Sequence, residues 1–170
     1  MFNRGDMVIY GGTGVCRISD ITMKPGFDGS EQPYYVLKPL LEDCVIYTPV
    51  DGKVFMRRVI SKEEANRLID MIPGLETEAF YTKSVQELTQ HYKSAIDTHS
   101  CKDLIELTMS IYEKKQDVEK HNRKFGQVDE RFMKQAEELL FSELAVALEI
   151  QRDEVREYIA DRLSAADERQ

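Results

Sequence analysis

The spacing of apolar residues divides the chain at Ser61. On the N-terminal side the pattern has period two in short runs, the signature of half-buried strands. Val8 and Tyr10 alternate with Met7 and Ile9, which predicts a first strand. Gly11, Gly12 and Gly14 then permit a tight reversal, and the extended pattern resumes over Val15–Met23, anchored by Ile18 and Ile21. Lys24–Ser30 has turn chemistry, with Pro25 fixing φ and Gly26 and Gly29 supplying positive φ. Further strands are predicted at Tyr34–Lys38, Cys44–Val50 and Val54–Val59. Short strands with turns every eight to twelve residues or so predict a small SH3-like or Tudor-like β-barrel over residues 1–60.

From Ser61 the period becomes helical. Ser61 and Glu64 form a capping box, and Ala65, Leu68, Ile69 and Ile72 mark one face of a helix that Pro73-Gly74 stops. Ser84 and Glu87 repeat the device ahead of a stripe of Val85, Leu88, Tyr92, Ala95 and Ile96. A third helix is predicted from about Lys102, carrying Leu104, Leu107, Ile111, Tyr112 and Val118, with an interruption at Asn122–Gln127. A fourth starts near Asp129, a last one near Asp153, and Ala165–Gln170 is expected to fray. The fold class is therefore α+β: a β-barrel at 1–60, then an all-helical bundle at 61–170.

Charge sharpens this division. Residues 1–60 carry 7 Lys+Arg and 7 Asp+Glu, whereas residues 61–170 carry 16 and 24, so the bundle holds the whole net charge of −8. Bulk electrostatics thus argue against a protein held to nucleic acid by charge alone. One segment departs from the acidic background: Lys114, Lys115, Lys120, Arg123 and Lys124 stand against Asp117 and Glu119 at the end of the third predicted helix. Cations near a helix C-terminus are favourable in themselves. The alternative is a set of phosphate contacts, with the acidic faces turned away.

Motifs for chemistry are missing. The glycine-rich turn lacks the Lys-Ser or Lys-Thr pair of a P-loop, and β-branched Val15 and Ile18 follow it. No G-x-S-x-G, H-E-x-x-H or C-x-x-C occurs, and Glu137-Glu138 reads as a solvent-facing pair. Cys16, Cys44 and Cys101 read as free thiols. No apolar run approaches the roughly 18 residues of a spanning helix, and no signal-peptide core follows Met1. The expectation is a cytoplasmic, non-enzymatic protein with no cofactor, metal, membrane or small-molecule substrate.

Gly5-Asp6-Met7-Val8-Ile9-Tyr10 with Gly14-Val15, Tyr34-Tyr35-Val36-Leu37-Lys38 and Tyr47-Thr48-Pro49-Val50 resemble the amino-terminal domain of the CarD family of bacterial transcription regulators. That module recurs as the RNA-polymerase-interacting domain of the transcription-repair coupling factor. Tyr92-Lys93, Phe125-Gly126 with Asp129-Glu130-Arg131, and Ala136 through Ala145 resemble the helical domain that CarD proteins add, so the resemblance covers nearly the whole chain.

The resemblance implies that the barrel pairs with the polymerase β subunit, sheet to sheet. By position Lys24 and Tyr47 would face the polymerase, where family members often carry arginine, and Ile46 is a candidate because it lies in the strand expected to pair. It also implies weak, non-specific contact of the helical domain with promoter DNA, and an effect on open-complex stability. Leu88 occupies the position of the family's tryptophan wedge and has two readings, an apolar wedge or part of the core stripe. Lys93, Lys114, Lys115, Lys120, Arg123 and Lys124 are the DNA-contact candidates. Two rivals remain: an adaptor whose acidic helices recruit a protein, and an enzyme whose site is assembled from scattered side chains.

Overall fold

The structure is a computed structural model and describes residues 1–169. It separates into two compact units, Met1–Val59 and Ile60–Gln170.

The first unit is a five-stranded antiparallel sheet of order β4-β3-β2-β1-β5. Its strands are β1 (Met7–Tyr10), β2 (Gly14–Pro25), β3 (Glu31–Pro39), β4 (Ile46–Pro49) and β5 (Met56–Arg58). Gly11 and Gly14, at φ 44° and 88°, turn the chain from β1 into β2. Val8, Cys16, Ile18, Tyr35 and Leu37 form the core, with Phe2, Tyr10, Ile21, Ile46 and Met56 packed against it. β1 and β4 are separated by two strands in the sheet, yet the Tyr10 hydroxyl donates to Thr48 Oγ1 at 3.1 Å. The sheet therefore curls on itself, giving the Tudor-like form expected.

Several boundaries differ from the predicted ones. β2 and β3 run further toward their hairpin, and β4 and β5 are shorter. Pro25, expected in the turn, is instead the last residue of β2, and Pro33 lies within β3 opposite Met23. A proline fits there because its carbonyl, and so its missing amide, point toward β4 just past the last pair of that ladder, Tyr34–Pro49, and take nothing from the bonds to β2.

The second unit contains α1 (Lys62–Met71), α2 (Val85–Ile96), α3 (Cys101–Lys120), α4 (Gln127–Leu148) and α5 (Val155–Glu168). Ser61, Ser84 and Ser100 each accept a backbone amide at a helix start, from Glu64, Glu87 and Asp103. α3 and α4 pack against each other, α2 rests on both, and α1 and α5 close the other side. Ala65, Leu68, Ile69, Leu104, Ile111, Ala136, Leu140, Leu144 and Val155 are buried among them.

Three expectations change here. α4 begins at Gln127, two residues earlier than expected. α5 holds its helix through Glu168 where fraying was expected; Gln170 lies outside the described residues. Val85, assigned to the buried stripe, is 65% exposed because the first residue of α2 lies outside the packed face.

Candidate functional site

β4 is an edge strand, paired on one side only. The Val50 amide donates to Pro33 O at 3.0 Å, so alternation along an antiparallel strand directs the Thr48 and Ile46 amides toward β3 as well. The same alternation turns the Tyr47 amide and carbonyl, and the Pro49 carbonyl, toward the open edge. Tyr47 is thus the residue whose main chain is free to pair. Ile46 has a different part: its side chain packs on the core and its amide belongs to the internal ladder, so it supports the edge without presenting it. The Tyr47 ring is half exposed, with Lys24 Nζ 3.8 Å from its centroid. That stacking joins two of the candidates across the curled sheet and holds the ring against the surface. Exposed Val45 and Met23, and Phe27 at the hairpin tip, add apolar surface to this unit.

The helical candidates separate into buried and exposed groups. Leu88 is 7% exposed, so the core reading of this residue is the observed one. The spacing from Leu88 to Tyr92 and Ile96 puts all three on the face of α2 that meets α3 and α4. Lys114 is the second correction: it is 6% exposed, and its Nζ lies 2.8 Å from Asp129 Oδ1. The Tyr92 hydroxyl donates to the same oxygen at 2.5 Å, tying α2, α3 and α4 together. Burial first, then the bond to Asp129, holds the Tyr92 phenol protonated far above its ordinary range. Lys114 is spent inside the bundle and is unavailable to a phosphate.

Lys120, Arg123 and Lys124 are exposed, Lys115 is half-buried with its Nζ 5.8 Å from the Phe125 ring, and Lys93 is exposed in the last turn of α2. The Arg123 amide donates to Val118 O at 2.8 Å, folding the chain back at the end of α3. Acids interleave with these cations. Asp117 accepts from the Tyr81 hydroxyl, whose pKa is pushed up to about 12 by that bond, and lies 3.5 Å from His121 Nδ1. Lys120 shares a cleft with Glu78, Glu113 and Asp117.

Glu137, expected to face solvent, is instead half-buried and accepts from the Tyr112 hydroxyl and, at 2.7 Å, from Arg156. This cluster borders an apolar recess of about 310 Å³ lined by Ile72, Met109, Leu140 and Ile159. Burial and the bond to Glu137 push the Tyr112 phenol up to about 12, so it keeps its proton at neutral pH. Among the described residues no group of three His, Cys, Asp or Glu is placed to hold a metal, and no helix is long and apolar enough to cross a membrane.

Residues 2–60 match the family model of the CarD-like/TRCF RID domain, and the helical unit lies outside that match. Comparison with curated proteins gives no match. The matched span coincides with the curled sheet and includes Lys24, Ile46 and Tyr47. A domain of this kind is a polymerase-interacting module, which makes the chain a transcription-related, RNA-polymerase-interacting protein. The sheet that presents the β4 edge belongs to the CarD-like/TRCF RID family.

Proposed function

We propose that the protein regulates transcription by adding β4 to a strand of the RNA polymerase β subunit, while its helical unit touches promoter DNA weakly and without sequence preference. The observation that carries this reading is an open strand edge at Tyr47 inside a domain of the polymerase-interacting family. Main-chain pairing supplies much of the affinity in such docking, so tyrosine in place of the family's arginine leaves it intact. Docking on polymerase raises the local concentration of a weak DNA contact, which lets a chain of net charge −8 act on DNA. The DNA-facing cations are Lys115, Lys120, Arg123 and Lys124, with Lys93 as a contributor from α2. The outcome is a change in open-complex stability, and the protein performs no catalysis. A second reading, an adaptor that recruits another protein, draws support from Glu78, Glu113 and Asp117 beside Lys120.

The test is capture of the isolated β subunit by the full chain carrying Tyr47→Pro, with Tyr47→Ala as control for the ring. Proline removes the outward amide while sparing the inner ladder, and an edge position tolerates it. Loss of capture by Tyr47→Pro with retention by Tyr47→Ala supports strand addition. Full capture by both variants refutes it.

A further inference from the structure

Arg17 and Lys38 lie directly opposite each other in the β2–β3 ladder, so their side chains leave the same face of the sheet. Both are exposed, and neither side chain has a hydrogen bond or ion pair among the described residues. Lys53 is likewise exposed and has no hydrogen bond or ion pair among the described residues, but it opposes no other cation in a ladder. The other cations of this unit are engaged, Arg57 through a bond to the Arg58 carbonyl. Arg4 pairs with Asp20 at 2.5 Å, Arg58 with Asp6 at 3.0 Å, and Lys24 stacks on Tyr47. The carboxylate nearest in sequence, Asp20, is taken by Arg4, and Glu42 and Asp43, exposed in the β3–β4 loop, have no ion pair with Arg17 or Lys38. Like charges in direct opposition destabilise a sheet, so an anion lying across this pair relieves the repulsion.

The face is continuous with the open edge. The β3–β4 ladder ends at Leu37–Ile46, and its register continued one step would set Val45, just before β4, against Lys38. By alternation Val45, Tyr47, Val36 and Lys38 share the outer face, and Arg17 adjoins Lys38 on the next strand. A strand added to β4 lies about 10 Å from β3, within reach of a lysine and a glutamate extended toward each other. A chain that leaves that strand beyond Val45 meets Lys38 first and Arg17 next.

We infer that Arg17 and Lys38 receive an acidic segment of the partner, two or more carboxylates that follow the strand paired to β4. The inference rests on the strand-addition reading and names the side-chain chemistry of that partner. Protein carboxylate is favoured over nucleic-acid phosphate because residues 1–60 carry 7 cations and 7 acids, so this unit has no excess charge to draw a polyanion.

The experiment measures affinity of the full chain for DNA-free RNA polymerase at low and high salt. The variants are Arg17→Gln/Lys38→Gln, Arg17→Glu/Lys38→Glu and Tyr47→Pro, each first checked for an unchanged melting profile. Neutralising both cations is expected to weaken binding about 2- to 30-fold at low salt, the range for two exposed ion pairs, and less at high salt. Charge reversal weakens it further. Unchanged affinity of both charge variants at both salts, with binding lost in Tyr47→Pro, overturns the acidic segment and leaves strand addition standing. Unchanged binding by Tyr47→Pro overturns strand addition and this inference with it. Charge variants that bind DNA-free polymerase normally but lose their effect only on promoter complexes overturn the inference in favour of phosphate.

Discussion

Lys114 allows the sharpest test of how the bundle is held. Its ammonium and the Asp129 carboxylate are 8% and 7% exposed at the side chain, and the Tyr92 hydroxyl completes the group. In Lys114→Met the Asp129 carboxylate keeps one neutral donor and loses its counter-charge away from water. Breaking a buried pair from one side costs about 3–5 kcal/mol, most of it the penalty of the charge left behind. For a unit of this size that is a fall in melting temperature of roughly 10–20 °C. Lys114→Met/Asp129→Asn removes the stranded charge while Asn still accepts from Tyr92, so the double variant is expected to recover at least half the loss. The assay is thermal and urea unfolding of the full chain followed by far-ultraviolet circular dichroism, with the four corners of the cycle compared. A single-variant loss below about 1 kcal/mol, the range of exposed pairs, refutes the buried-pair argument. So does a double variant no more stable than the single. Any loss of DNA-linked activity in Lys114→Met then follows from stability, since the ammonium does not reach the surface.

Leu88→Ala is expected to cost about 2–5 kcal/mol in the same unfolding measurements; an unchanged midpoint refutes its burial. His91 stacks on Phe80 with ring centroids 3.9 Å apart, and burial, then the Lys114 charge, holds its pKa below the ordinary 6.5. The unfolded chain thus binds the proton more readily, so this contribution is present above pH 6.5 and lost as pH falls toward the folded value. The melting temperature of the full chain should therefore drop between pH 7 and pH 5, and less so in His91→Gln, before the carboxylates Asp20, Asp28, Glu64 and Asp70, all held below their ordinary range by their hydrogen bonds, begin to titrate. Equal drops in both proteins refute the assignment to His91. Arg123→Glu/Lys124→Glu should shorten or lengthen open-complex lifetime relative to wild type by a similar factor at different promoters, with polymerase binding intact, because phosphate contacts carry little sequence information. Lifetimes equal to wild type at two salt concentrations remove the corner from the mechanism and favour the adaptor.

The sequence alone determined the features that depend on neighbours along the chain. Period-two runs and the glycines at 11, 12 and 14 placed five strands, and Ser61 with Glu64 and Ser84 with Glu87 placed two helix starts, because backbone dihedrals and capping are local. The motif set from Gly5 to Val50 pointed to the RID module for the same reason: its turns and alternation are written contiguously. What required the tertiary structure was the fate of charge. A cluster of five basic residues reads as one surface in sequence, but the α3 face that carries Lys114 meets α2 and α4, and Asp129, 15 residues on, neutralises it inside. Leu88 had two readings because a helical stripe does not say whether a partner covers it; α3 and α4 do. Strand direction likewise fixed the role of residue 46 against 47, since which amide faces outward depends on the register with β3. Arg17 and Lys38, 21 positions apart, become neighbours only through that same ladder geometry, and no local pattern marks them.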